Sequence, residues 1–344
     1  MITQAQDLTL FNTLRLRSQA QYFAAPQHKA EAVALIRHYA ERMPITVLGG
    51  GSNVVLAPQV PGLVLHPQFK GRECIKQAGQ HVWVRVAAGE VWDDVVAWTL
   101  QQGWQGLENL SLIPGQVGAA PVQNIGAYGV ELSQVLEEVV AVHLSTGEQQ
   151  RFTTAECGFS YRDSFFKSQA PGQWLITELV LRLNQGGEQL HLSYGDVAQH
   201  FHALPKAQQN AQGLREVICA IRSAKLPDPS QLPNAGSFFK NPVVPHTQYQ
   251  ALKQQHPTMV AYAMAEGDYK LAAGWLIEQA GWKGHQPQGI GMHSQQALVL
   301  VNHTQDATAH DIEAVALQVK AAVQQRFGVL LEQEPLAIPR LKGV

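Results

Sequence analysis

Cysteine is scarce in this chain, and the little present cannot form a framework. Cys74, Cys157 and Cys219 are odd in number, far apart and outside any Cys-x-x-Cys pair, a usage that fits a reducing compartment and argues against a disulfide scaffold. All three are expected to be free and buried. No segment approaches the roughly 18 consecutive apolar residues of a membrane span. The N-terminal MITQAQDLTLFNTLRLRSQ lacks the basic start and unbroken apolar core of an export signal. An excess of either charge is also missing: 25 Lys and Arg stand against 27 Asp and Glu, spread along the chain, which leaves no footprint for nucleic acid or an anionic membrane. His200 and His202 have an HxH spacing but no third ligand at a supporting distance, so they read as a solvated pair and no metal is expected. A soluble cytoplasmic protein follows, open to small polar or anionic ligands.

At 344 residues the chain exceeds one typical domain, so two or three are expected. Residues 28–42 place Val33, Leu35, Ile36 and Tyr39 on one helical stripe. The β-branched run Ile45 to Leu48 follows and stops at Gly49, Gly50, Gly51, Ser52 and Asn53. Glycines at a strand end let backbone N–H groups converge on one concavity that can hold a pyrophosphate without side-chain charge; a flexible tight turn would look the same from these residues alone. Residues 81–89 have the period of a strand, and 91–102 that of an amphipathic helix closed by Gly103.

Between residues 111 and 129 the composition changes to glycine, proline and small side chains. That density lets a large flat ligand approach the backbone, and Gln123 and Asn124 offer amide groups to the edge of a heterocycle. Ile113, Val117, Val122 and Ile125 favour a structured loop over a linker. No strand leads straight into it and no helix with a following acidic residue leaves it, so it is not a GxGxxG dinucleotide fingerprint. A hairpin around Thr146-Gly147 and a strand at 174–183 make this part sheet-rich α+β. Between them lies Tyr161-Arg162-Asp163, which alone reads more readily as a surface ion pair than as a catalytic group.

Two prolines around Asp228 end the helix 214–225 and place a boundary near 223–230. Next comes Asn234-Ala-Gly-Ser-Phe-Phe-Lys-Asn-Pro242, with Ser237 between a glycine and two aromatics; alone it is a loop leading into a short apolar strand. Helices are expected at 270–281 and 308–328, each closed by glycine, with a buried strand at 297–301 between them. On a terminal strand Glu332 and Glu334 would face one side while Leu331 and Gln333 face the other.

Taken in order, GGGSN, IPGxVG with PxQNxGAYG, SYRDS, KLPDP with NAGSFFKNP, LAAGWLIEQAGxKG and LExE resemble the UDP-N-acetylenolpyruvoylglucosamine reductase family, flavoenzymes that complete UDP-N-acetylmuramate synthesis for bacterial peptidoglycan. The likeness covers nearly the whole chain. It implies an α+β fold: a vanillyl-alcohol-oxidase-like (PCMH-type) two-part FAD-binding fold at 1–70 and 71–222, a C-terminal α/β substrate-binding domain at 223–328, and a strand and tail at 329–344 carrying Glu334. It further implies noncovalent FAD on Gly49, Gly50, Gly51, Ser52 and Asn53, joined by Pro114, Gly115, Gly118, Ala119, Gln123, Asn124 and Gly126. Some relatives have Ser-Ser at Ala119-Ala120, so hydroxyl contacts are lost here while backbone N–H contacts would remain.

The chemistry implied by the resemblance is reduction of the flavin by NADPH, departure of the nicotinamide, and hydride transfer to the terminal carbon of the enolpyruvyl group. The adjacent carbon must then receive a proton. A serine hydroxyl is a poor acid towards most bases, but a carbanionic enol carbon is basic enough to take its proton. The resemblance assigns that donation to Ser237, with Arg162 and Glu334 polarising the substrate carboxylate. It assigns the diphosphate to Tyr194, Lys225 and Lys283, other polar contacts to Asn241, Tyr262 and Gln296, and further pocket positions to Tyr128, Tyr161 and Arg222. A tyrosine-bearing loop around Tyr194 resembles the class in which such a loop folds over the nucleotide. The implied setting is cytoplasmic cell-wall biogenesis, with consequences for cell shape, cell cycle and division, by a monomer with no nucleic-acid or membrane partner. A flavin oxidase of sugars or lactones on the same scaffold would commonly carry a flavin-linking His near the first glycine loop, and residues 45–58 contain none. A nucleotide-sugar binding protein that has lost its flavin would lack the yellow colour.

Overall fold

The computed structural model describes residues 1–187, 189–264 and 267–339. Its contacts divide into two compact units, neither continuous in sequence: Met1–Gln6, Ala20–Gly50 and Pro61–Ala224 form one, and Asp7–Gln19, Gly51–Val60 and the chain from Lys225 onward form the other.

In the first unit, strands Ile2–Asp7, Gln19–Ala24, Gln59–Leu65 and Ile45–Val47 lie side by side in that order, the last two parallel. The helix Lys29–Tyr39 buries Ala32 and Ile36 against Leu63, Leu65 and Phe69, with Val33, Leu35 and Tyr39 packed at the margin, as the stripe predicted. A five-stranded antiparallel sheet follows, ordered Gln149–Thr153, Leu136–His143, Trp174–Asn184, His81–Ala87 and Arg72–Ala78. Val82, Val84 and Val86 are fully buried while His81 and Arg85 turn away, the alternation of a half-buried strand. Each such valine contributes about 2 kcal/mol by leaving water. The helix Trp92–Gln101 covers the buried face through Trp92, Val95 and Val96. The outer strand Arg72–Ala78 is exposed throughout and carries charge, which discourages edge-to-edge pairing. Cys74 sits on it, exposed, which corrects the expectation that all three thiols are buried. Cys157 is buried, and desolvation pushes its thiol up to about 12.

In the second unit, Asn234–Ser237, Val299–Asn302 and Ile290–Met292 form an antiparallel sheet, and Val243–Val244, Tyr269–Leu271 and Ala261–Ala263 a smaller one. Phe238, Phe239, Leu276, Ile277, Leu300, Ile312 and Val319 share a core with Leu14, Leu16 and Val55. The helix Ala309–Phe327 begins at a capping box of Thr308 and Asp311 and ends at Gly328. Two expectations are corrected here. The helix expected from residue 270 starts at Ala273, because Tyr269–Leu271 is drawn into the small sheet. Glu332 and Glu334 do not share an environment on a regular strand: Glu334 is 7% exposed while Glu332 is in solvent, and the regular strand is Leu336–Ile338, parallel to Val54–Leu56.

Candidate active site

The first unit supplies a narrow backbone surface. Gly49 and Gly50 follow the buried Leu48, whose carbonyl is bonded to Nδ1 of His66 at 2.8 Å. Burial pushes His66 below the ordinary imidazole range, so it holds the loop as a neutral ring. A β-carbon on Gly50 would stand 3.0 Å from the Cα of Gly115, so the two glycine loops approach closely here and a larger residue would have to push them apart. Pro114 and Ala119 are exposed beside them. The N–H groups of Gly118 and Ala119 already donate to Ala88 and Gln116, at 2.9 and 3.0 Å. Both N–H groups are thus spent within the protein, Gly118 is packed so that an added β-carbon would lie 2.7 Å from Ala88 Cβ, and Ala119 does not offer the backbone donor expected of it. Glycine backbone with few projecting atoms fits the flat ring and diphosphate of FAD.

Asn124 corrects a second expectation. It is buried in the left-handed region at φ 46°, its Nδ2 donates to Glu131 Oε2 at 2.7 Å and to the Ser160 carbonyl at 3.2 Å, and its Oδ1 accepts from Ser133 N–H at 3.0 Å. Its amide is engaged inside the protein, so it shapes the loop and does not face a heterocycle. Gln123 is half-buried next to it. Two residues away, the Gly126 carbonyl accepts from Nη2 of Arg162 at 2.9 Å.

Arg162 is held in several ways. Its backbone is left-handed at φ 57°, its carbonyl accepts from Lys167 Nζ at 2.9 Å, and its guanidinium lies 5.6 Å from the Tyr161 ring centre. A non-glycine residue in that conformation costs roughly 1–3 kcal/mol and persists where surroundings enforce it, commonly at functional sites. Asp163 turns to its own loop, accepting from Ser164 N–H at 2.8 Å and Ser168 Oγ at 2.5 Å. Tyr128, also left-handed, packs edge-on to Tyr194 at 5.7 Å. Their loops are tied by buried Asn109, which donates to the carbonyls of Tyr128 and His191 at 3.0 and 2.9 Å. Asn109 has no sequence signature, because its role depends on a contact with residue 191. Arg222 lies on the helix Ala211–Lys225, and Lys225 ends that helix in solvent.

In the second unit, Gly51 cannot be replaced: an added β-carbon would fall 2.0 Å from the Phe11 carbonyl. Ser52 and Asn53 are half-buried beside it. Ser237 closes the strand Asn234–Ser237, opposite Val299, after an irregularity at Gly236 fixed by the Asn234 side chain, whose Oδ1 accepts from Gly236 N–H at 2.9 Å. Phe238 and Phe239 are fully buried immediately after it, so Ser237 is anchored from the core while remaining half-exposed. The N–H of Glu334 donates to the Phe238 carbonyl at 2.9 Å, which brings Glu334 alongside the serine strand. Glu332 instead pairs with Lys240. Asn241 Oδ1 accepts from Ala273 N–H at 2.9 Å and so caps the helix Ala273–Gln279. Lys283 is paired with Glu278 at 2.8 Å, Tyr262 is exposed, and Gln296 is half-buried.

Comparison with known proteins places the chain in a family. A family model described as "FAD binding domain" matches residues 20–153, and one described as "UDP-N-acetylenolpyruvoylglucosamine reductase, C-terminal domain" matches residues 228–338. The chain is 52% identical to the UDP-N-acetylenolpyruvoylglucosamine reductase of Alcanivorax borkumensis, over 97% of this chain and 95% of the relative. It is 48% identical to that of Pseudomonas aeruginosa, over 94% and 95%. The crystal structure of UDP-N-acetylenolpyruvylglucosamine reductase from Thermus caldophilus shares the fold, with a TM-score of 0.66 at 24% identity over 98% of each chain.

Proposed function

Because the chain belongs to the UDP-N-acetylenolpyruvoylglucosamine reductase family, we propose that Ser237, Arg162 and Glu334 are the catalytic residues of an NADPH-dependent reduction of UDP-N-acetylenolpyruvoylglucosamine to UDP-N-acetylmuramate. The chain is an FAD-dependent oxidoreductase of peptidoglycan precursor synthesis, built on an α+β, PCMH-type FAD-binding fold. FAD, held by the glycine backbone of residues 49–53 and 114–126, would supply the hydride, drawn from NADPH, that the terminal enolpyruvyl carbon receives.

The remaining steps fall to side chains. Ser237 Oγ gives its proton to the adjacent carbon, forming the C–H bond as the enolate collapses, and the alkoxide left behind is reprotonated from solvent. Arg162 binds the substrate carboxylate with its two-pronged fork. Glu334 serves in a protonated or proton-sharing state, since a bare carboxylate would repel the developing negative charge. The observation that carries the assignment is the bond from Glu334 N–H to the residue following Ser237. The glycine backbone of residues 49–53 and 114–126 holds FAD noncovalently. Lys225, Lys283 and Tyr194 meet the diphosphate; Tyr128, Tyr161, Arg222, Asn241, Tyr262 and Gln296 complete the substrate contacts.

By the same reading, 1–70 and 71–222 are the two FAD-binding parts, 223–328 is the substrate-binding domain, and 329–344 is the C-terminal segment, of which 340–344 lies outside the described residues. The contact division at Ala224 and Lys225 supports the third boundary. The enzyme works as a cytoplasmic monomer whose product feeds cell-wall growth, cell shape and division. Among the described residues no helix is long and apolar enough to cross a membrane. Anaerobic stopped-flow tests the function: NADPH bleaches the flavin absorbance, and the enolpyruvyl sugar nucleotide restores it. Bleaching without restoration overturns the substrate.

A further inference from the structure

The carboxylate of Asp93 is the centre of a network that the reaction as described does not use. From the first turn of the helix Trp92–Gln101, its Oδ1 accepts from Leu112 N–H at 2.6 Å and Arg215 Nη1 at 2.7 Å, and its Oδ2 accepts from Arg215 Nη2 at 2.8 Å. The Leu112 carbonyl in turn accepts from Arg222 Nη2 at 3.3 Å. Arg215 and Arg222 stand about two turns apart on one helix, so they share a face.

Three features give the network a direction. Leu112 is left-handed at φ 55°, a conformation costing an ordinary residue about 1–2 kcal/mol, and its N–H is fixed by Asp93. Arg222 Nε is buried with no hydrogen-bond partner among the described residues, although a buried donor ordinarily finds one. Asp93 spends both oxygens on Arg215 and Leu112, so it supports Arg222 without binding its guanidinium. Burial weakens the hold of Arg222 on its proton, opposed by Tyr128, Cys219 and Asp93 in that order. A guanidinium held this way suits an anionic acceptor from outside the protein.

We infer that Asp93 is a positioning residue for substrate binding: it fixes Leu112 and Arg215 so that Arg222 presents its guanidinium to an anionic group of the sugar nucleotide. The inference rests on the assignment of Arg222 to the substrate pocket. Asp93→Asn keeps the size and one acceptor oxygen but sets an amide N–H₂ against Arg215.

The test is steady-state kinetics on the full-length, FAD-loaded enzyme with saturating NADPH. Asp93→Asn is expected to raise KM for the enolpyruvyl sugar nucleotide about tenfold with kcat within about threefold, Arg222→Lys to do the same, and the double variant to be no worse than the poorer single, because the two act through one contact. Arg215→Lys, which keeps the charge and loses the fork, supplies the comparison if Asp93→Asn fails to fold. A lower Tm with unchanged KM in the Asp93 or Arg215 variant, while Arg222→Lys still raises KM, overturns the positioning role and leaves the substrate reading intact. Unchanged KM in Arg222→Lys removes Arg222 from the pocket and the inference with it.

Discussion

Glu334 donates its backbone N–H to the carbonyl of Phe238 at 2.9 Å, and so lies beside the residue that follows Ser237. Two positions earlier, Glu332 is in solvent and paired with Lys240. Glu334 is buried beside the serine strand, and Glu332 is a surface partner worth under about 1 kcal/mol. Glu334→Gln is therefore expected to slow flavin reoxidation by substrate about a hundredfold or more, and Glu332→Gln by no more than about threefold. Single-turnover reoxidation compares them; equal effects would remove Glu334 from the chemistry.

Ser237→Ala separates the two half-reactions. NADPH should still bleach the flavin, while return of electrons to the enolpyruvyl group should fall by about two to four decades for want of the proton donor. Equal loss in both halves would point to a damaged fold. Circular dichroism should show no change, since the side chain is half-exposed and the anchoring is done by Phe238 and Phe239.

Arg162→Lys keeps the charge and loses the planar fork. Turnover should drop about a hundredfold through the substrate carboxylate. Loss of the Nη2 bond to Gly126 would accompany it, so flavin content per chain should be measured alongside. A near-normal rate would return Arg162 to a structural role.

His66 makes folding depend on pH. Desolvation lowers its folded-state pKa, so the unfolded chain binds more protons between that value and about 6.5. The contribution is whole above about pH 6.5 and fades as pH falls through the lowered value. Thermal melts between pH 8 and 5.5 should show Tm falling towards acid, with a shallower fall in His66→Gln. Identical slopes would show that other groups set the dependence.

Much of the fold was legible because it rests on local rules. The stripe of Val33, Leu35, Ile36 and Tyr39, the alternation of Val82, Val84 and Val86, and the Thr308 start and Gly328 end of the last long helix are each fixed within a few residues. Misreadings arose where a distant partner intervened. Lys270 and Leu271 look helical in period but fall in the strand Tyr269–Leu271, which pairs with Val243–Val244. Asn124 carries the right group for a heterocycle, but Glu131, Ser160 and Ser133 occupy it. Asn109 and Asp93 carried no signal at all, since their partners lie far along the chain.

By itself the sequence determined the family, the flavin and the reaction, because these depend on ordered motifs whose chemistry is local. The tertiary structure decided which of two glutamates is buried, which amides are already spent, and how a chain read from end to end divides into units that draw in residues 7–19 and 51–60 from elsewhere. Side-chain function depends on desolvation and on which donors and acceptors remain open, and both are set by residues distant in sequence.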